Sequence, residues 1–175
     1  EGHFLLTSGR HSNQYMQCAK ILQYPNYTEE IVNVLANNYK NDAVDYVIAP
    51  AIGGIIIGYE LAKQLGAKNI FTEREDGVMT IRRGFTLPKG SRVVVAEDVI
   101  TTGGSVKEVI EIAKEQGAEV VGVAVLVDRS NGTINFGSKL VSALAVNVQS
   151  WESSECPLCA SGQVELVKPG SRKVK

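Results

Sequence analysis

Two adjacent carboxylates, Glu97 and Asp98, close the apolar run Val93-Val94-Val95-Ala96, and Val99-Ile100 lead from them into Thr101-Thr102-Gly103-Gly104-Ser105. The second half of this stretch has the parts of an anion cradle. Backbone N–H groups from Thr102 to Ser105, beside the free donors of a helix start, form a concave nest of partial positive charge. Gly103 and Gly104 let the main chain approach an anion closely, and Thr101, Thr102 and Ser105 add hydroxyl donors. The two acids need a different partner, because a carboxylate repels phosphate. Sugar hydroxyls or a divalent cation would satisfy them. A phosphate followed by hydroxyls describes a ribose 5-phosphate. The alternative is a plain strand–turn–helix junction with solvated acids.

A second candidate anion site is Ala49-Pro50-Ala51-Ile52-Gly53-Gly54, which follows a strand and opens a helix; a tight turn needing glycine is the alternative. Between Glu73 and Phe85 the basic groups are Arg74, Arg82 and Arg83, and Glu73 to Gly84 contains no lysine or histidine. Arginine clamps phosphates in bidentate fashion but is no ordinary general acid at neutral pH. A solvated hairpin of paired charges fits this segment equally well. Arg129 follows the apolar run Val120–Val127. Its planar guanidinium suits a carboxylate ligand better than an uncharged base, unless it pairs with Asp128. The cysteines are Cys18, Cys156 and Cys159. Cys156-x-x-Cys159 has zinc-knuckle spacing, and four ligands would need Cys18 with His3 or His11, or a second subunit. Disulfide and reduced tail thiols stay open.

The elements that must carry these groups alternate along the chain. Phe4–Leu6 and Gln14–Gln17 read as short strands around a Ser8-Gly9 turn. Thr28–Tyr39 reads as a helix with Ile31, Leu35 and Tyr39 on one face and Pro25 just ahead. Tyr46–Ala49 is a short buried strand, and Gly54–Leu65 a helix closed by Gly66. Asn69–Thr72, Arg92–Ala96 and Val120–Val127 are further strands, the last two with the unbroken apolar character of a parallel sheet. Ser105 and Glu108 have capping-box spacing ahead of the stripe Val106, Val109, Ile110 and Ala113. Leu140–Val146 closes the sheet. The expected class is α/β, with a doubly wound, mostly parallel sheet flanked by helices.

With 175 residues, 44% hydrophobic content and 17 glycines, the chain suits a single α/β domain with a sizeable core. A net charge of −1 offers no basic footprint for nucleic acid. The longest apolar run is too short to span a bilayer and no signal-peptide pattern appears, so a cytoplasmic location is expected, with no membrane partner.

The segment around Glu97 and Asp98 resembles the phosphoribosyl pyrophosphate (PRPP) signature of the type I phosphoribosyltransferases. Gly2-His3-Phe4-Leu5-Leu6-Thr7-Ser8-Gly9-Arg10-His11-Ser12, with Tyr15, is similar to the amino-terminal substrate hood of the orotate members, and Val127-Asp128-Arg129 to their orotate-contacting strand end. The tail Glu155-Cys156-Pro157-Leu158-Cys159 and Lys168-Pro169-Gly170-Ser171-Arg172 resembles a subgroup from thermophilic and anaerobic bacteria and archaea. The likeness implies the type I phosphoribosyltransferase fold: a hood over residues 1–24, an α/β core over 25–150 and a tail over 151–175. The chain opens on Glu1 and the hood motif begins at once, so a helix is expected ahead of residue 1.

The resemblance further implies transfer of ribose 5-phosphate from PRPP to N1 of orotate, in pyrimidine (UMP) biosynthesis. PRPP contacts fall on Glu97, Asp98, Val99, Ile100, Thr101, Thr102, Gly103, Gly104 and Ser105, and on Ala51, Ile52, Gly53 and Gly54. Many relatives carry a lysine where this chain has Gly53. Orotate contacts fall on Thr101, Arg129, Tyr15 and Met16, although ordinary packing would equally explain Met16. Arg74 and Arg82 are expected to stabilise charge, as part of a loop covering a neighbouring subunit's site in a homodimer with shared sites. Mg²⁺ is expected through PRPP rather than through protein ligands. Rival readings are a phosphoribosyltransferase for a purine or another base, and a non-catalytic PRPP-sensing regulator.

Overall fold

A computed structural model of the chain describes residues 1–6 and 9–169. The elements begin with strands β1 (His3–Leu5) and β2 (His11–Ser12), then helices α1 (Ala19–Leu22) and α2 (Pro25–Ala36). Next come β3 (Tyr46–Pro50), α3 (Gly54–Leu65), β4 (Lys68–Glu75) and β5 (Val78–Ile81). β6 (Arg92–Ile100), α4 (Gly104–Glu115), β7 (Glu119–Asp128) and β8 (Lys139–Ala145) follow. The chain closes with β9 (Ser150–Trp151), a 3₁₀ turn (Ser153–Glu155), α5 (Pro157–Ser161) and β10 (Leu166–Val167).

These elements fall into two compact units. One joins the two ends of the chain, Glu1–Gln17 with Asn147–Lys175; the other is Cys18–Val146. The hood and tail, read from the sequence as separate pieces, therefore share a unit.

The larger unit is a six-stranded sheet in the order β5-β4-β3-β6-β7-β8. All neighbours are parallel except the β4–β5 hairpin. Strands buried on both faces need apolar residues at every position, and Tyr46–Pro50 and Val93–Ala96 are buried throughout. Alternation assigns the faces. Tyr46, Ile48, Val93 and Val95 share one core with Val106, Val109, Ile110 and Ala113 of α4. α2 and α3 pack together, α3 against β3, β4 and β6. Pro25 occupies the first turn of α2, where its missing N–H costs nothing, so this helix starts earlier than Thr28 and ends at Ala36. Tyr39 lies beyond it, fully buried, and its hydroxyl donates to the Val123 carbonyl at 2.8 Å.

The smaller unit holds a four-stranded sheet, β10-β1-β2-β9. The strand expected at Gln14–Gln17 does not form; His11–Ser12 pairs with β1 instead, and Gly2 N–H bonds the Asn13 carbonyl. Thr7 and Ser8, with the Ser8 turn position, lie outside the described residues, as do Gly170, Ser171 and Arg172 of the tail. Arg10 ties β2 to β9 through Glu152 and the Ser150 hydroxyl and carbonyl.

Candidate functional site

The strand order reverses between β3 and β6. From β3 the chain crosses through α3 to β4 on one side, and from β6 it crosses through α4 to β7 on the other. The loops 51–53 and 101–103 leave the carboxyl ends of those two neighbouring strands. Such a switch point is where open α/β sheets form a ligand crevice.

The acids expected to terminate β6 lie within it. Pairing with β7 continues through Glu97↔Val125 and Ile100↔Asp128, because an adjacent strand satisfies the backbone that far. The turn therefore begins at Thr101, and Glu97 and Asp98 sit on a rigid ladder. Glu97 is 8% exposed. Its Oε1 accepts the Asp98 N–H at 3.0 Å, and Asp98 Oδ1 accepts the Val99 N–H at 2.8 Å. These bonds fix both carboxylates close to the strand.

The β3–α3 loop presses onto the same acids. A Cβ added at Gly53 would lie 2.5 Å from Asp98 Oδ2, and one at Gly54 would lie 3.1 Å from the Ala96 carbonyl oxygen. Any side chain at 53 would displace Asp98. The two candidate anion loops are thus neighbours, and this close approach accounts for glycine at position 53. No side chain caps α3, and its first turn carries no acid. The Ala51–Ile52 peptide is cis.

α4 starts differently from the expected capping box. Gly103 is the N-cap, at φ +71°, and a Cβ there would meet the Phe136 ring at 2.9 Å. No side chain caps the helix. Glu108 instead accepts from Arg74 at 2.8 Å, because an αL glycine cap leaves Ser105 inside the helix rather than ahead of it. The first-turn N–H groups of a twelve-residue helix are left to other acceptors, with Thr101 and Thr102 exposed beside them.

Arg129 begins the loop after β7, and its N–H donates to the Ile100 carbonyl at 2.9 Å. Asp128 Oδ1 accepts the Ser130 N–H at 2.7 Å. Cys18 reports on the electrostatics here. Burial, then Asp98 and Glu97, push its thiol up to about 12, while Arg129 opposes them. Glu97, Asp98, Arg129 and Cys18 therefore share one electrostatic neighbourhood within the larger unit.

The arginines form the hairpin of paired charges that the sequence left open. β4 and β5 meet at Asp76-Gly77, both at positive φ. Arg82 pairs with Glu75 at 3.0 Å, and Arg83 holds Glu73 through bonds of 2.6 and 2.8 Å. The Arg83 hydrogen bond holds the Glu73 carboxyl below its ordinary range, and Glu108 raises the Arg74 guanidinium in the same way.

Tyr15 and Met16 belong to the smaller unit, where the Tyr15 ring lies 5.9 Å from Phe4. The same unit gathers His3, His11, Cys156 and Cys159, with all four ligand atoms within 4.8 Å of one another. Cys18 belongs to the other unit, so the ligand set expected around it is replaced by one using both histidines. All three cysteines are free.

The phosphoribosyl transferase domain model matches residues 19–155. The orotate phosphoribosyltransferase of Caldanaerobacter subterraneus subsp. tengcongensis is 56% identical over 99% of this chain and 91% of its own length. That of Caldicellulosiruptor saccharolyticus is also 56% identical, over 100% of this chain and 91% of its own. The crystal structure of orotate phosphoribosyltransferase from Aeropyrum pernix superposes with a TM-score of 0.71 at 29% identity, covering 83% of this chain and 86% of that one. An adenine phosphoribosyltransferase from Thermoanaerobacter pseudethanolicus, at 17% identity and a TM-score of 0.66 over 75% and 88% of the two chains, shares the fold.

Proposed function

Because this chain belongs to the phosphoribosyltransferase family, and within it to the orotate phosphoribosyltransferases, we propose that its switch-point crevice transfers ribose 5-phosphate from PRPP to N1 of orotate. The products are orotidine 5′-monophosphate and pyrophosphate. The observation that carries the assignment of parts is the contact of Gly53 with Asp98, which joins two uncapped helix starts around one pair of carboxylates.

In this reading the N–H groups of Thr102, Gly103, Gly104 and Ser105 hold the 5′-phosphate, and Glu97 and Asp98 accept the ribose hydroxyls, with Val99 and Ile100 fixing them on the strand. Ala51, Ile52, Gly53 and Gly54 face the pyrophosphate end. Arg129 pairs with the orotate carboxylate, and Thr101 lies between sugar and base. The anomeric carbon loses its bond to pyrophosphate and gains one to N1, with inversion, while the N1 proton of orotate passes to solvent and pyrophosphate leaves with the bonding electron pair. The protein's work is to position a nucleophile and neutralise a departing anion.

Mg²⁺ would neutralise charge on the pyrophosphate and orient it. The donor set fits a hard cation, since Asp98 and the exposed Thr101 and Thr102 hydroxyls offer only oxygen, and a cation of this kind is held largely by substrate. Arg74 and Arg82 would leave their acidic partners to stabilise pyrophosphate in a neighbouring subunit of a homodimer. The setting is the cytoplasm; among the described residues no helix is long and apolar enough to cross a membrane. Loss of orotate absorbance with PRPP and Mg²⁺ tests the reaction. Turnover with orotate is expected; turnover with a purine and none with orotate would overturn it. Mixed Arg129→Ala and Arg82→Ala subunits should recover part of the activity if sites are shared, and verified heterodimers without recovery would refute sharing.

A further inference from the structure

Outside the crevice, the smaller unit concentrates its burial in an unusual set of side chains. Its fully buried described residues are His3, His11, Ser12 and Cys156; no aliphatic or aromatic side chain joins them. Its strands are two or three residues long. Such pieces cannot bury enough apolar area to hold themselves together, and small units of this kind depend on a crosslink or a metal.

The buried groups converge on one point. His3 Nε2 lies 3.0 Å from His11 Nδ1, Cys156 Sγ 3.4 Å from His3 Nε2, and Cys159 Sγ 3.6 and 3.2 Å from the two ring nitrogens. A tetrahedral zinc with ordinary bond lengths has N···N edges of about 3.4 Å and N···S edges of about 3.6 Å. These four separations lie within about 0.4 Å of those edges, and all four ligand atoms lie within 4.8 Å of one another. The second ring nitrogen of His3 is also accounted for. Nδ1 lies 3.1 Å from the Val164 carbonyl, so its proton goes there and Nε2 keeps a lone pair directed at the cluster.

The local chain explains the convergence. β1 and β2 are adjacent antiparallel strands, and each carries one histidine. Cys156 is the N-cap of α5, Pro157 starts the helix, and one turn brings Cys159 beside Cys156. A Cys-x-x-Cys turn facing a two-stranded ribbon makes a compact four-point cage across sequence separations of up to 156 residues.

We propose that His3, His11, Cys156 and Cys159 bind one Zn²⁺ as a structural site that crosslinks the two ends of the chain. Two thiolates and two imidazoles select zinc over the hard cations that use oxygen. All four positions are filled by protein, so the site has no open coordination position for catalysis. The site is independent of the transferase reading and would stand if that reading failed.

The test uses the full chain, purified under reducing conditions with any affinity tag removed. Elemental analysis is expected to find one zinc per chain in wild type and in Cys18→Ser, and at least a tenfold loss in the double variant Cys156→Ser/Cys159→Ser. Because that variant could fail to fold, chelator-stripped wild-type chain is titrated with Co²⁺. Visible bands of tetrahedral cobalt with thiolate charge transfer in the near ultraviolet are expected, and Zn²⁺ should abolish both. Wild type without zinc and without the cobalt spectrum overturns the proposal. So does a Cys156–Cys159 disulfide, found by mass in freshly purified reduced protein.

Discussion

The two units are held by different physics. In Cys18–Val146, Val47, Ile48, Ile57, Leu61, Val93, Val94 and Val95 are excluded from water, and apolar burial dominates the stability. Among the described residues of the unit made from the chain ends, the excluded side chains are two imidazoles, a hydroxyl and a thiol. The first arrangement tolerates loss of any one partner, because its energy is spread over many contacts. The second concentrates its stabilisation in four atoms around one point, and fails when that point is removed. The paired carboxylates and both candidate anion loops sit on the apolar sheet.

Removing metal is the harshest way to separate the units. Backbone amides of β1, β2, β9 and α5 are expected to lose hydrogen-exchange protection on chelation, while those of β3, β6 and β7 retain it. Equal loss in both units would show that one cooperative core supports the whole chain. The converse perturbation is Ile48→Ala, in the sheet core. It should cost about 2–5 kcal/mol, read as a lowered denaturant midpoint, and leave zinc content unchanged.

The same division governs what could be read from residues alone. Unbroken apolar runs such as Val93–Ala96, and the helix Gly54–Leu65 with its Gly66 end, announce themselves through local pattern, and the doubly wound parallel sheet follows from their alternation. Of the candidate site, the contiguous stretches stand out from residues alone, Glu97 to Ser105 and Ala51 to Gly54, and the fold brings them to neighbouring strand ends. Reading β6 as ending at the acids failed because pairing with β7, a tertiary fact, carries the strand to Ile100. The Ser105–Glu108 box failed because Gly103 takes the cap at positive φ. The His/Cys cluster was half-seen. Cys156-x-x-Cys159 is a local signal, but only the pairing of β1 with β2 selects His3 and His11 over Cys18.

Within the larger unit, Arg129→Ala should lower kcat/KM for orotate by roughly 10²- to 10³-fold, since an oriented charge on the substrate is lost. The sheet-core stability should hardly change, because Arg129 belongs to the loop after β7. A loss confined to PRPP affinity would move Arg129 away from the base.

A smaller effect comes from Cys18. Its thiol titrates near 9.0 when unfolded and is pushed up to about 12 in the fold, chiefly by burial. Between those values the unfolded chain releases a proton that the folded chain keeps. Stability is therefore fully present below about pH 9 and declines as pH rises toward 12, by at most about 1.4 kcal/mol per pH unit. Burial raises the Tyr39 phenol too, so its contribution has the same sign. Cys18→Ala should flatten the alkaline limb of the denaturant midpoint against pH. An unchanged limb would show that burial, with Asp98 and Glu97, does not hold the thiol neutral in the fold.

The smallest stability effect is expected at Arg74, and there the two quantities measured should part company. Its bond to Glu108 joins the β4–β5 hairpin to α4 across 2.8 Å, but both side chains are more than 40% exposed. Exposed pairs of this kind are worth about 0–1 kcal/mol, because water screens them and two long side chains must be ordered. Arg74→Ala should therefore leave the denaturant midpoint almost unchanged. If Arg74 exchanges Glu108 for pyrophosphate during turnover, kcat should fall by at least about tenfold while the KM for orotate moves little. Glu108→Gln separates the two roles, since it frees Arg74 without removing it. Unchanged kcat in Arg74→Ala would reduce the pair to a surface contact and leave charge neutralisation to Arg82 and the bound cation.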